Sequence, residues 1–174
     1  QKAMLKVQSA LVLYQKADNL KKEIHTLYLQ GMIHGDRSQY TLAKEKYFAA
    51  IHLAEASKDS LSEGAILNSV GLVHKWLTNY QQAETAFQRS IALLANEEFG
   101  FRRAMSISNL GALYTEIGAH QKALEQFQQS RALFQKVDSE WGLKADLGNM
   151  GYSLTQLNQA EEAMPLLEEN LEYA

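Results

Sequence analysis

The chain has 174 residues, 46% of them hydrophobic, with 17 basic against 20 acidic side chains, a net charge of −3 and no cysteine. That size and apolar content suffice for a sizeable core in one domain. Near-balanced charge leaves no electrostatic footprint for nucleic acid or an anionic membrane, the absence of cysteine excludes disulfides and thiolate metal sites, and no apolar run approaches the ~18 residues of a bilayer span.

A single proline, Pro165, in a chain rich in Ala, Leu, Gln, Glu and Lys predicts helix nearly throughout. The start, Gln1-Lys2-Ala3, has neither an initiating Met nor a signal-peptide pattern, so a piece of a longer, cytoplasmic protein is expected. Residues 1–17 read as the second helix of a preceding copy, since Ala3, Val7 and Ala10 fall 40 positions before Ala43, Tyr47 and Ala50. Four helical hairpins follow over 21–57, 60–97, 100–137 and 140–174, nine helices in one array. The breaks between them are "SKDS" at 57–60, "NEEFG" at 96–100 and "KVDSE" at 136–140.

The hairpins are copies of one another. Sliding the chain by 40 residues superposes Gly31, Gly71, Gly111 and Gly151, then Ala43, Ala83, Ala123 and Ala163. Four places on stand Tyr47, Phe87, Phe127 and Leu167, and three beyond them the mostly small Ala50, Ser90, Ser130 and Asn170. A turn column, Ser38, Thr78, Gly118 and Asn158, lies seven residues after each glycine, with residue types that end one helix or cap the next. A fixed period of this length is the signature of a repeat array. An interior helical glycine costs about 1 kcal/mol relative to alanine, so the glycine column needs a packing reason. Ile107, Leu110, Gly111 and Tyr114 share one helix face, and the expectation is that each glycine meets the alanine of its partner helix at close backbone approach.

The run "NLGALYTEIGAHQKALEQFQQS", residues 109–130, carries Leu-Gly-x-x-Tyr, then Gly, Ala, Phe and a small residue. In this it resembles the tetratricopeptide repeat, and the resemblance extends over essentially the whole chain. The period of 40 exceeds the family's usual 34 and the helix-ending proline is missing, so the helices run longer. This looks like the variant in Pins-type polarity scaffolds, kinesin light chains, bacterial peptide-pheromone receptors and the sensor arms of large bacterial regulators. The first copy is the most degenerate, with Gln30 where Val70, Leu110 and Met150 stand. The resemblance implies an all-α, right-handed superhelical solenoid of antiparallel helical hairpins that binds protein or peptide partners without catalysis.

No catalytic signature contradicts this. There is no P-loop, G-x-S-x-G, H-E-x-x-H or calcium-loop pattern, so neither a cofactor nor a metal is expected. His34 and His74 share a column with Tyr114 and Leu154 and read as helix-contact residues, and the pairs Glu161-Glu162 and Glu168-Glu169 read as a solvated face.

The resemblance places the ligand-facing positions on the first helix of each hairpin: His25, Tyr28, Leu29, Met32 and Gly35, then Ala65, Asn68, Ser69, Leu72 and Lys75. Met105, Ser108, Asn109, Ala112 and Thr115 follow, and Ala145, Gly148, Asn149, Tyr152 and Thr155 complete the set. An Asn amide carries a donor and an acceptor and can pair with the backbone of an extended guest. Asn68, Asn109 and Asn149 are therefore candidates for backbone capture, with Tyr28, Met32, Leu72, Lys75, Met105 and Tyr152 selecting side chains. The alternative is that Asn109 and Asn149 bond to neighbouring helices. Charge in the groove is sparse, and the cluster of Lys, Arg and Asn by which chaperone-binding relatives grip a terminal carboxylate is not reproduced.

Trp141 aligns with Leu61 and Phe101 and is expected in the core, whereas Trp76 sits in a polar column, either as an exposed anchor or packed on Tyr80 or its neighbours. Pro165 is expected to bend the last helix unless that helix starts late. Met164, Leu167 and Leu171 have no following hairpin to cover them, and neither end has an evident polar cap. Further repeats or a second copy of the chain would cover them, which raises an alternative function: the sensor or assembly arm of a larger signalling protein or transcription regulator, packing on its own neighbouring domains.

Overall fold

A computed structural model describes residues 2–16 and 19–172, with the side chains of residues 2, 3, 15, 16 and 172 outside the description. The alanine-column expectation for Ala3 therefore lies outside the described residues. Among these, nine α-helices follow in order: α1 Lys2–Lys16, α2 Leu20–Asp36, α3 Tyr40–Ser57, α4 Ser60–Trp76, α5 Tyr80–Leu93, α6 Gly100–Glu116, α7 His120–Lys136, α8 Glu140–Gln156 and α9 Ala160–Glu172. A 3₁₀ turn, Glu97–Phe99, precedes α6, and no strand occurs among the described residues. The chain divides into two compact units, 1–93 with α1–α5 and 94–174 with α6–α9.

The helices end where the turn column predicts, and the backbone shows how. Ser38, Thr78, Gly118 and Asn158 all adopt left-handed φ values, 57°, 56°, 77° and 59°. Each is followed by a residue whose N–H reaches back to the helix: Gln39 to the His34 carbonyl, Asn79 to His74, Ala119 to Tyr114 and Gln159 to Leu154, at 2.8–2.9 Å. This satisfies carbonyls that the helix end would orphan. Lys58 and Asp138 use the same left-handed stop after α3 and α7. The next helices are then capped by side chains, Asp59 accepting from the Ser62 N–H at 3.0 Å and Ser139 from the Gly142 N–H at 3.2 Å.

Each hairpin packs on itself and on the next within its unit, α2 on α3, α3 on α4 and α4 on α5 in the first, α6 on α7, α7 on α8 and α8 on α9 in the second. First helices also touch one another, α2 with α4 and α6 with α8. The core of the first unit runs from Ile24 and Leu27 through Ala43, Tyr47 and Ala50 to Ile66, Leu67, Val70 and Val73.

The glycine column has a packing reason, but its partner differs from the expected one. A Cβ at Gly71 would come within 2.5 Å of the Phe87 ring and one at Gly111 within 2.8 Å of the Phe127 ring, while Gly31 faces the Tyr47 ring and Gly151 the Leu167 side chain. The glycines thus meet the column four residues beyond the alanines. The long side chain, one turn further along the second helix, reaches across the gap that the short alanine leaves. Ala43, Ala83 and Ala123 are themselves fully buried, and Ala163 is 2% exposed, so that column lines the same contact from one turn away.

One further expectation changes and the alternative left open at Pro165 is resolved. Trp141 is 62% exposed instead of buried, because its column, with Leu61 half-buried and Phe101 also exposed, stays on the open face of the first helices. Pro165 lies inside α9, which starts at Ala160 in the same register as the other second helices and so does not start late.

Candidate functional site

In the first unit, α2 and α4 carry the candidate residues. Their faces are joined by a hydrogen bond between the Tyr28 and Ser69 hydroxyls, 3.1 Å apart. Tyr28 also packs on the buried Tyr47 ring, centroid to centroid 5.8 Å. Burial pushes the Tyr47 phenol above its ordinary range, with the neighbouring Tyr28 adding to the rise. Met32 is exposed, whereas Asn68, Leu72 and Lys75 are half-buried, and Asn68 and Lys75 already have partners within the chain. Trp76 is half-exposed at the end of α4 and packs on Tyr40, 5.8 Å between centroids.

In the second unit the candidates converge more tightly. Met105, Ser108 and Asn109 from α6 meet Trp141 and Ala145 from α8 around a cleft of about 30 Å³ with Phe134 of α7 at its floor. Phe101 stacks edge-on against Phe134 at 5.8 Å and lies 6.3 Å from Trp141, so three aromatic rings form one cluster. Further along, the Thr115 and Ser153 hydroxyls link α6 to α8 at 3.2 Å. Tyr152, half-exposed, packs edge-on against His120 at 5.8 Å. Asn149 is half-buried beside Gly148, and Asn109 has a partner within the chain.

Trp141, Ala145, Gly148 and Tyr152 succeed one another at steps of four, three and four, which puts them on one face of α8. At 1.5 Å per residue the two aromatic side chains stand about 16 Å apart along the helix. Between them the surface is small and uncharged.

Beneath this face lies a group the sequence reading passed over. Asp146 is fully buried; its carboxylate accepts a hydrogen bond from the Ser108 hydroxyl at 2.5 Å and another from the Ser130 hydroxyl. It ties α6, α7 and α8 together. Burial pushes its carboxyl above the ordinary range, against the opposing pull of both hydroxyls and of Arg131. The signal was in the column Thr26, Ile66, Ser106, Asp146, where a single carboxylate replaces small or apolar residues. For Trp141 the signal was its spacing to Ala145, Gly148 and Tyr152, which outweighs column membership.

The histidines do not converge: His34 Nδ1 bonds to Gln39 Oε1 at 2.8 Å, and His74 Nδ1 is buried with no hydrogen bond among the described residues. Burial, and Lys44 after it, hold the His74 imidazole below its usual range. No group of three His, Cys, Asp or Glu side chains that could hold a metal occurs among the described residues. No described helix is long and apolar enough to cross a membrane.

Residues 62–136 match the family model of the tetratricopeptide repeat. No curated protein matches the sequence. Among solved structures, BtubC (BKLC) from P. vanneervenii superposes with a TM-score of 0.88 at 16% identity, over 98% of this chain and 71% of that one. A variant of a Podosopora anserina protein with nearly identical TPR-like repeats, assigned as a kinesin light chain, gives 0.75 at 18%, over 99% and 85%. The MamA protein gives 0.64 at 19% identity, over 97% and 90%. At such identities the likeness speaks for the fold, an all-α helical repeat. With the family match over residues 62–136 and the glycine, alanine and aromatic columns recurring at 40 residues on either side of it, the chain resembles the tetratricopeptide repeat along its length and carries the family's repeat over residues 62–136.

Proposed function

We propose that the chain is a non-catalytic protein-interaction module whose first-helix faces hold an extended segment of a protein partner. The observation that carries this reading is the face of α8, where exposed Trp141 and Tyr152 bracket the small Ala145 and Gly148. A helix face that leaves large aromatic rings in water and smooths the surface between them is built for contact with another chain. An extended segment advances about 3.3 Å per residue, so a span of about 16 Å along α8 fits apolar side chains about five residues apart on the guest. Asn109 and Asn149 flank that path and supply amides for the guest backbone, as Asn68 does in the first unit. Met105 adds apolar contact beside Trp141; Tyr28, Met32, Leu72 and Lys75 form the corresponding surface of α2 and α4.

The test is a titration of peptides selected from a random library, with the Asn109→Ala, Asn149→Ala double variant compared against the parent. Backbone capture predicts a loss of tenfold or more, about 1.4 kcal/mol. Unchanged affinity sinks the role of the amides.

A second reading has its own observation. Leu5 and Leu13 on α1 are 62% and 65% exposed, and Met164 and Leu171 on α9 are 60% and 74% exposed. Such apolar faces suit packing against neighbouring domains of the same protein or against a second copy, the behaviour of a sensor or assembly arm. Sedimentation of the Met164→Glu, Leu171→Glu variant checks it: self-association that persists unchanged removes α9 from the contact.

A further inference from the structure

The second unit opens on a departure from the repeat. In the 40-residue register, positions 94–97 correspond to 54–57, which are helical in α3, and to 134–137, of which 134–136 are helical in α7. Here α5 stops at Leu93 and the chain turns through Glu97–Phe99 before α6 begins. A cavity of about 580 Å³ lies there, lined by Asn96, Glu97 and Arg103 on one side and Leu133, Lys136 and Val137 on the other.

Arg103 breaks the pattern in charge as well. Its column holds Glu23, Glu63 and Leu143, and in the preceding copy Glu63 is matched by Arg89, Nη2 to Oε1 2.5 Å. Forty residues on from that ion pair stand Arg103 and Gln129, a cation where the carboxylate was and a neutral amide where the cation was. Arg103 Nε is buried and makes no hydrogen bond among the described residues. A buried guanidinium donor without an acceptor is costly, and Arg103 lines a cavity shared with a second cation, Lys136.

We propose that this cavity is a binding site for a small organic anion bearing a carboxylate or phosphate group, held by Arg103 and Lys136. Arg103 presents a planar fork suited to two oxygens, and Lys136 supplies a second charge. Glu97 is the acidic side chain of the lining, so the cations outnumber it and the site favours an anion. Asn96 Oδ1 is occupied by the Glu98 N–H at 3.1 Å, which turns its NH₂ group into a donor for a ligand oxygen. Leu133 and Val137 accept a hydrocarbon body, and the volume falls in the range of small-molecule sites. None of these residues belongs to the peptide-binding face proposed above, so the two readings stand or fall separately.

The experiment is an NMR titration of the whole chain at low ionic strength with inorganic phosphate and, separately, with succinate, following the Arg103 Nε–Hε resonance and the backbone amides of Asn96 and Glu97. A saturable shift with either probe is expected, and the probe that gives it identifies the anionic group. Lys136→Gln, at an exposed position, is expected to weaken it by about tenfold, the loss of one charge-assisted hydrogen bond. The proposal is overturned if neither probe shifts these resonances, or if the backbone-amide shifts show the parent's affinity in both Lys136→Gln and Arg103→Gln.

Discussion

A ring edge fills the space that a Cβ at Gly111 would need, at 2.8 Å from Phe127. Gly111→Val therefore overpacks the hairpin and is expected to cost about 1–3 kcal/mol in urea unfolding. The fourth copy, with Leu167 in place of the ring, suggests the control: adding Phe127→Leu should make the pair less destabilised than the sum of the single changes. Additive costs would place the strain elsewhere. Asp146 supplies a second test at this scale. Burial raises its carboxyl above the unfolded value, about 3.9. Between those two values the folded chain keeps a proton that the unfolded chain releases, so this group's contribution to stability falls as pH rises through the window and is flat above it. Asp146→Asn keeps an acceptor for the hydroxyls and removes the buried charge. It is expected to be more stable than the parent at pH 7, with the difference vanishing below about pH 4. A variant less stable at neutral pH would mean that the two serines and Arg131 outweigh the cost of burial.

At the scale of the helix and its turn, the left-handed stops are placed by sequence but not all by ideal residues. Thr78 is β-branched at φ 56°, where Gly118 stands in the next copy. Its backbone strain is of order 1 kcal/mol, so Thr78→Gly should stabilise the fold by about that much in chemical denaturation, less what glycine adds to the entropy of the unfolded chain. A clear loss of stability would show that the Thr78 side chain contributes more than its strain costs. These elements were legible in the sequence because period and turn chemistry agree: the turn column marks where each first helix stops, and Asp59 and Ser139 cap the helices that follow the breaks. The glycine's partner was not legible. Spacing says which residues share a face, whereas the reach of a tyrosine or phenylalanine across to the facing helix depends on side-chain length and on the separation of the two helices. The early end of α5 was also missed, since "NEEFG" fits the period while its backbone leaves the helix at Leu93.

At the scale of the molecule, two units repeat the same device: second helices carry the aromatic or leucine side chain that seats each glycine, and first helices are left with a face of small, amide and half-exposed aromatic residues. The family resemblance names the positions on that face as ligand-facing, a role the titrations described above test. The character of the face was not legible in the sequence. Trp141 was assigned to the core because its column is apolar, yet an apolar column can lie on a binding face as well as in a core, and burial alone separates the two. The asparagines remain the sharper expectation, with Asn68 and Asn109 engaged within the chain and Asn149 half-buried on α8. The central claim is that a partner lies along the first helices. The most direct measurement is amide-shift mapping of the chain with a peptide selected from a random library. The expected result is perturbation concentrated on α2, α4, α6 and α8, strongest around Trp141, Asn149 and Tyr152. Perturbation confined to α3, α5, α7 and α9, with the first helices unchanged, would contradict it.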